Sequence, residues 1–229
     1  MCAALLRRLD SRREDKLGTN PNVPRPSVMR LPHYYRRLLQ AIRDGQRIIS
    51  SQELGEEVGV PAAQARRDLS YLGEAGRPGV GYNVRELAAR LEQFLGLTEV
   101  KEAVLVGTGN LGRALASYPG FARYRLHIAA LFDRDPAKLG TRIGLLQVYP
   151  MEELAPFVRE RGIKIGILAV PAPPAQAIAE QMAEAGIRAI WNFAPVSLQL
   201  PPTVMVFNED LAARLATVSY YIAQRAIEH

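Results

Sequence analysis

Residues 103–116 have the sequence AVLVGTGNLGRALA, and this stretch determines the class of fold that the sequence predicts. Apolar residues typical of a buried strand run directly into Gly107-Thr108-Gly109-Asn110-Leu111-Gly112, a GxGxxG pattern that opens a predicted helix. In a dinucleotide-binding turn the first glycine permits the tight bend, the second lets the backbone approach a pyrophosphate, and the third lets the helix pack on the strand. GxGxxG alone is a weak signal, but its place between strand and helix favours a nucleotide site over a purely structural turn.

The segments that follow predict a Rossmann-type domain. Apolar strands, predicted at 103–107, 126–132, 146–149, 163–170, 187–193 and 203–207, alternate with helices predicted at 110–117, 151–161 and 174–185. Such alternation is typical of a parallel sheet that is covered on both faces. The second strand ends at Asp133, about twenty residues past the glycines, where an acid binds the adenosine ribose and disfavours the extra phosphate of NADP. We therefore expect NAD(H) as ligand, although the adjacent Arg134 weakens this preference.

The N-terminal part predicts a different domain. A helical period starts at Ser27, and Ser50 with Glu53 forms a capping box for a second short helix. Pro61 suits the first turn of a third helix that runs to about Leu72. The glycine-rich segment 76–82 cannot be helical and predicts an exposed ribbon. Together these elements predict a winged helix-turn-helix domain.

The third predicted helix carries the argument for DNA binding. Ala65, Leu69 and Leu72 share one face, so the arginines beside them project outward, where guanidinium groups contact phosphates or pair with guanine in the major groove. The predicted DNA contacts are Arg66, Arg67, Ser70 and Tyr71 on the helix and Arg77 and Tyr82 in the ribbon. The alternative is an ordinary solvated face with two arginines, which leaves the glycine-rich ribbon unexplained.

Composition narrows the class of protein. The formal charge is +6, and residues 1–84 carry 14 Lys and Arg against 9 Asp and Glu. This fits a nucleic-acid-binding domain, or a surface that is merely basic. Cys2 is the only cysteine, which excludes a disulfide framework and a cysteine zinc site. With no membrane-length apolar run and no signal-peptide pattern at the start, we predict a cytoplasmic protein that uses neither membrane nor metal.

The predicted organisation therefore has five parts. They are a flexible tail (1–26), the winged-helix domain (27–84), a connector helix (85–98), the Rossmann domain (99–208) and a C-terminal apolar helix (209–229). The fold class is α/β.

An oxidoreductase with an accessory nucleic-acid domain is the main alternative function. Hydride transfer to a carbonyl generally needs a proton donor beside the nicotinamide. His33, His127 and His229 do not follow the carboxyl end of any predicted strand, and no tyrosine is followed by lysine four residues later. We therefore expect no enzymatic activity. A DNA-binding architectural protein with a vestigial nucleotide fold is a third possibility, and failure to bind NADH would favour it.

Several segments resemble the Rex family of bacterial redox-sensing repressors. They include LPHYYRRL (31–38), ARRDLSYLGEAGRPGVGYNV (65–84), VGTGNLGRALASYPGF (106–121) and AGIRAIWNFAPVSLQLP (185–201). The resemblance covers essentially everything after Ser27 and includes both functional halves.

The resemblance implies a homodimer whose C-terminal helix swaps onto the partner, and a repressor that binds operator DNA when NADH is scarce and leaves it when NADH binds. A two-fold dimer would meet a pseudo-palindromic double-stranded site. Leu211, Leu215, Val218 and Ile222 form an apolar stripe that such a helix would bury. Packing of this stripe within its own subunit is the alternative.

The resemblance also implies the remaining site residues. Arg36, Tyr118 and Asp210 match switching positions, and Asp210 can sense the nicotinamide because oxidation places a positive charge on the ring. A salt bridge that merely stabilises the dimer is the alternative. Tyr118, Pro171, Asn192, Phe193 and Pro195 are expected to line the nicotinamide pocket. Trp191, the only tryptophan, stands where the resemblance leads us to expect an aliphatic residue.

Overall fold

The computed structural model describes residues 23–73 and 76–227 of the chain. The chain divides into two compact units, Met1–Glu99 and Val100–His229. Most of the predicted tail lies outside the described residues. Residues 25 and 26, however, already belong to the first helix, because the fixed φ of Pro26 suits its first turn. The predicted tail therefore extends too far.

The first unit consists of short helices and a small antiparallel strand pair. Its elements are α1 (Arg25–Arg43), β1 (Ile48–Ile49), α2 (Ser51–Val58), α3 (Ala62–Ser70), β2 (Tyr82–Asn83) and α4 (Val84–Phe94). The predicted capping box is confirmed: the Ser50 hydroxyl accepts from the Glu53 amide at 3.1 Å, and Glu53 accepts from the Ser50 amide at 2.8 Å. Between α3 and β2 the chain turns through an Arg77–Gly81 bridge, which forms the predicted ribbon.

Helix α4 belongs to the core of the first unit. Its buried residues Val84, Leu87, Ala88 and Leu91 follow a helical period, and the helix packs against α1. The Asn83 side chain caps it by accepting from the amides of the first turn.

A buried carboxylate fixes α3 against α1. Asp68 is fully buried and accepts from Arg30 Nε and Nη2 at 2.6 and 2.7 Å and from the Tyr34 hydroxyl at 2.8 Å. Gln64, one turn earlier on α3, donates at 2.9 Å. Burial by itself raises the pKa of Asp68, but these hydrogen bonds outweigh it and lower the pKa to about 2. These bonds connect the inner face of α3 to α1.

The second unit contains, among its described residues, a seven-stranded sheet of order β5-β6-β4-β3-β7-β8-β9. Only the β5–β6 pair is antiparallel. The strands are β3 (Lys101–Val106), β4 (Leu126–Asp133), β5 (Arg142–Ile143), β6 (Leu146–Pro150), β7 (Ile165–Leu168), β8 (Ala189–Asn192) and β9 (Met205–Asn208). The helices are α5 (Asn110–Ala116), α6 (Leu154–Arg161), α7 (Ala172–Ala185) and α8 (Leu211–Ile227), with 3-10 helices at Pro119–Tyr124 and Met151–Glu153.

Each face of this sheet has its own apolar cluster, because neighbouring strand residues point to opposite faces. Val104, Val106 and Phe132 pack on the face of α6 and α7, while Leu105 and Leu131 pack on the face of α5. Helix α8 differs from the others, since the large apolar residues between Leu211 and Ile222 are exposed. Leu211, Leu215, Val218 and Ile222 retain 51–67% of their accessible surface.

We predict that Asp68→Ala lowers the free energy of unfolding by about 3 kcal/mol, because it leaves Arg30 with no carboxylate partner in a largely buried site. Glu57→Ala is the matched control: it breaks the more exposed Arg36–Glu57 pair of the same unit and costs less than about 1 kcal/mol. Urea unfolding followed by circular dichroism gives both values. Equal losses in the two variants would contradict a special role for the buried pair.

Candidate functional site

A cleft of about 520 Å³ opens at the carboxyl ends of β3, β4 and β7. Four of the predicted nucleotide-contacting residues line it: Gly107, Gly109, Asp133 and Pro171. The wall is completed by residues that we did not predict as contacts, including Arg134, Lys138, Met151, Val170 and Ile178. A cleft at this edge of a parallel sheet is the usual position of a ligand in open α/β folds.

The three glycines of the turn have different surroundings, and a side chain would clash at two of them. Gly107 has φ +98°, and a Cβ there would strike the Ala169 carbonyl oxygen. A Cβ on Gly112 would strike the carbonyl oxygen of Gly107, so only glycine lets α5 begin this close to β3. Gly109 is the opposite case, because nothing lies within 4 Å of a Cβ built on it. Its backbone therefore faces open space, and the bare turn fits a bulky group such as a dinucleotide pyrophosphate.

Asp133 holds the cleft together. It is 6% exposed, and its Oδ2 atom accepts from the Thr108 amide at 2.8 Å, the Thr108 hydroxyl at 2.5 Å and Lys138 Nζ at 3.1 Å. Its Oδ1 atom accepts from the Asp135 amide at 3.0 Å. Burial alone raises the pKa of Asp133, but these donors outweigh it and lower the pKa to about 2. Oδ1 accepts one hydrogen bond, so it keeps the capacity to accept another.

The role of Lys138 could not be predicted from the sequence. The loop that contains it is not helical, so no period relates it to Asp133. Its ammonium group lies 3.1 Å from Asp133 and 3.6 Å from Asp135. The charge of Asp133 is thus partly offset, which reduces the electrostatic basis of the predicted preference for NAD(H) over NADP(H).

The remaining predicted nucleotide residues do not line this cleft. Thr108 is buried and donates to Asp133, and Asn110 and Leu111 lie in the first turn of α5. Tyr118 and Pro195 are exposed, and Phe193 is half-buried against Trp191 with ring centroids 4.6 Å apart. 

The structure places Asn192 differently from our expectation. We expected its side chain to line the nicotinamide pocket, but it is fully buried. Its amide nitrogen donates to the Val196 carbonyl and to Asn208 Oδ1, and its oxygen accepts from the Ala194 amide. These bonds use its hydrogen-bonding groups within the protein, so it shapes the loop after β8 instead of facing a ligand.

The three switch positions are in different surroundings. Arg36 in the first unit forms an ion pair with Glu57 at 2.5 Å. In the second unit Tyr118 packs edge-on against Phe121, and the Asp210 carboxylate accepts from the Ala213 amide at 2.9 Å at the start of α8. 

A second cleft, of about 710 Å³, lies between α3 and the ribbon of the first unit. Arg66, Ser70 and Arg77 line it, and Arg66 Nη1 donates to the Ser51 hydroxyl at 3.0 Å. Arg67 is exposed, and Tyr71 is half-buried. The groove therefore brings together cationic side chains and small polar ones on a single face.

Tyr82 also requires a correction. We expected it to reach DNA, but its side chain is 7% exposed and lies under the ribbon. A Cβ on Gly76 would lie 2.8 Å from the Tyr82 ring, so the glycine lets the ribbon close over the ring. Tyr82 supports the ribbon from below, and its exposed part lines the same cleft as Arg66 and Arg77.

Within residues 23–73 and 76–227, no helix is both long and apolar enough to cross a membrane. The same described residues contain no group of three or more His, Cys, Asp or Glu side chains arranged to hold a metal ion.

A nucleotide cleft in one unit and a cationic winged helix-turn-helix in the other define the class: a DNA-binding protein with a ligand-sensing domain. Comparisons with known proteins agree with this class. Residues 98–196 match the CoA binding domain model, and residues 22–70 match the model for a putative DNA-binding protein N-terminus. The chain is 44% identical over 210 residues to the redox-sensing transcriptional repressor Rex of Roseiflexus sp. (strain RS-1), covering 92% of this chain and 94% of that protein. It is 46% identical to the protein of the same name from Chloroflexus aggregans, over 86% and 93% of the two chains.

The chain belongs to the Rex family of redox-sensing transcriptional repressors. Solved structures support the assignment. The crystal structure of RSP in complex with β-NAD⁺ and operator DNA superposes with a TM-score of 0.83 at 38% identity, covering 90% of this chain and 94% of that one. RSP in complex with β-NADH gives 0.80 at 37% identity, with 90% and 97% coverage. These relatives are repressors, so the Rossmann domain is a sensor and the oxidoreductase alternative is not supported.

The lowered pKa of Asp133 predicts how stability depends on pH. A carboxyl group whose pKa falls from 3.8 to about 2 on folding stabilises the protein above pH 3.8, and this contribution is lost as pH falls toward 2. We expect Asp133→Asn to cost about 2 kcal/mol at pH 7 and progressively less in that window, measured by urea unfolding. Asp135→Asn, at an exposed carboxylate, is the control. A cost that stays constant from pH 7 to pH 2 would contradict this account.

Proposed function

We propose that this chain is a repressor that senses the NADH/NAD⁺ ratio, holding operator DNA when NADH is scarce and leaving it when NADH binds. The observation that carries the proposal is the pairing of an open glycine turn beside Asp133 with an exposed arginine face on α3, in one chain of a family of redox-sensing repressors. RSP was crystallised with both nicotinamide forms and with operator DNA, which supports the same ligands here.

The second unit would hold the cofactor along the edge of its sheet. The turn 107–112 would receive the pyrophosphate at its bare backbone, and Asp133 Oδ1 would bind the adenosine ribose. Pro171, Phe193 and Pro195 follow the carboxyl ends of β7 and β8, and would form the nicotinamide side with Tyr118. Lys138 would hold Asp133 in place and adds positive charge near the adenosine end.

The first unit would contact double-stranded DNA through α3 and the ribbon. Arg66 and Arg67 would reach bases or phosphates in the major groove, with Ser70 and Tyr71 on the same helix and Arg77 beside it. Asp68 takes no part in this contact, but it fixes the orientation of the helix that makes it.

We further propose a homodimer in which α8 packs on the partner subunit. The exposed apolar side chains of α8 support this, because burying the remaining half to two thirds of each one would contribute about 1–2 kcal/mol. A dimer would place two copies of α3 on a pseudo-palindromic site. As a regulator of genes by a metabolic cofactor, the protein would act in the cytoplasm.

Asp210 is the group best suited to sense the redox state. It stands at the first turn of α8, and oxidised nicotinamide differs from the reduced form by one positive charge. We propose that Asp210 exchanges between Tyr118 and Arg36 according to that charge, which would alter the spacing of the DNA-binding units.

Fluorescence anisotropy with a labelled duplex tests the proposal. The duplex is first selected from a random pseudo-palindromic library in the absence of NADH. We expect NADH to weaken binding at least about tenfold, and NAD⁺ at the same concentrations to leave the complex intact. Replacing both Arg66 and Arg67 with alanine should abolish DNA binding while NADH still binds. Equal affinity for the duplex with and without NADH would overturn the proposal.

Gly109→Val provides a separate prediction about the cleft. Since Gly109 has φ −67° and open space around its Cβ position, valine should leave the fold intact and occupy the cleft. We expect NADH affinity to fall at least about tenfold, measured by NADH fluorescence, with the affinity for DNA retained. Gly112→Ala, which meets the Gly107 carbonyl, should instead lower the melting temperature. Undiminished NADH binding by Gly109→Val would place the cofactor elsewhere.

A further inference from the structure

Strand β8 ends in two neighbouring residues whose side chains point to opposite faces of the sheet. Trp191 packs with the apolar cluster on the α5 face, and Asn192 is buried in hydrogen bonds at the strand end. The loop that follows contains Phe193 and Pro195, which we propose as part of the nicotinamide side. Any movement of that loop therefore acts first on Trp191 and Asn192.

On the α5 face, four aromatic rings form a continuous row. Phe193 contacts Trp191 with ring centroids 4.6 Å apart, Trp191 contacts Phe121 at 5.9 Å, and Phe121 contacts Tyr118 at 5.1 Å. The last two contacts are edge-on, with planes at 71° and 75°, an orientation that aromatic pairs favour. The row joins the loop after β8 to Tyr118. The indole of Trp191 is the second ring of the row and contacts both Phe193 and Phe121, at a position where we expected an aliphatic residue.

Asn192 makes the second connection. Its amide nitrogen donates to Asn208 Oδ1 at 2.8 Å and to the Val196 carbonyl at 2.9 Å, and its oxygen accepts from the Ala194 amide at 3.0 Å. The backbone adds a bond from the Glu209 amide to the Asn192 carbonyl at 2.8 Å. Asn208 and Glu209 lead directly to Asp210, whose carboxylate caps α8. The amide of Asn192 thus ties the same loop to the start of the C-terminal helix.

We propose that the end of β8 is a positioning element that connects the nicotinamide-side loop to both switch residues. Trp191 acts on Tyr118 through Phe121, and Asn192 acts on Asp210 through Asn208. This inference rests on the proposed function and adds residues that would touch neither cofactor nor DNA. The loop 193–196 cannot shift without moving the buried Asn192 amide or leaving it unpaired, which is costly. Movement of the loop is therefore passed on to both switch positions together.

The inference is tested by measuring how strongly NADH binding weakens DNA binding, which we call the coupling ratio. It is the ratio of the dissociation constants for the duplex with and without saturating NADH. Trp191→Leu interrupts the aromatic row, and Asn208→Ala removes the acceptor of Asn192. We expect each variant to lower the coupling ratio at least about fivefold. Affinity for DNA without NADH, and affinity for NADH measured by its own fluorescence, should change less than about threefold.

The chain offers a matched control on the other face of the sheet. Phe157 packs against Phe132 and Tyr149, with ring centroids 5.8 and 5.9 Å apart, so Phe157→Leu removes a comparable aromatic contact outside the row. It should leave the coupling ratio unchanged. Trp191→Phe, which keeps a ring in the row, should retain most of the coupling. Asn208 is exposed, so its variant tests the inference even where Trp191→Leu does not fold.

Failure of this inference is distinguishable from failure of the proposed function. If NADH does not release the unmodified protein from the duplex, the proposed function is wrong. If NADH releases the unmodified protein, and the variants Trp191→Leu and Asn208→Ala have the same coupling ratio as it has, only the inference is overturned. A loss of coupling as large in Phe157→Leu as in the two variants would also overturn it, because it would reflect general destabilisation.

Discussion

The carboxylate of Asp133 is the interaction on which the nucleotide cleft depends. It binds the turn after β3 through Thr108 and the loop after β4 through Asp135 and Lys138. Since β3 and β4 are parallel neighbours, both segments leave the sheet at the same edge, and one shared anion fixes the distance between them. The open space above Gly109 follows from this geometry. Without the Asp133 carboxylate, the donors of the two loops would bind water instead, and nothing would fix the width of the cleft.

The first unit also contains a buried carboxylate that holds two segments together. Asp68 is also a buried carboxylate saturated by donors, and it fixes the helix whose outer face carries the arginines. The pKa values of Asp68 and Asp133 both lie at about 2, so both groups remain ionised throughout the physiological range. Neither is suited to be the switch, because each is buried and held in place by several donors of its own unit. A redox signal must instead act through groups that can exchange partners, such as exposed Asp210 and Tyr118, and through the charge of the nicotinamide itself.

Features encoded in consecutive residues could be predicted from the sequence. The glycine turn, the capping box at Ser50 and the alternation of strands and helices all depend on local spacing. What could not be predicted depends on partners far along the chain: Asp68 meets Arg30 across 38 residues, and Asn192 meets Asn208 across 16. Asn192 is buried because it has such a partner, whereas Tyr82 is buried because the ribbon closes over its ring at Gly76. Strands β1, β2 and β5 have two residues each, too few to show an alternating pattern.

Helix α8 bears on both the proposed subunit contact and the proposed switch, because it follows Asp210 directly. Its large apolar residues up to Ile222 are exposed, and an exposed apolar face of this kind usually marks a surface that another one covers. If a second copy covers it, as we propose, the helix that joins the subunits begins directly after its cap Asp210, which lies two residues beyond the Asn208 that Asn192 holds. A change at the end of β8 would then reach the subunit contact through a single rigid helix, without a long chain of intermediates. Because both subunits would be held by the same contact, the two DNA-binding units would change their spacing together, which is what a two-fold operator requires.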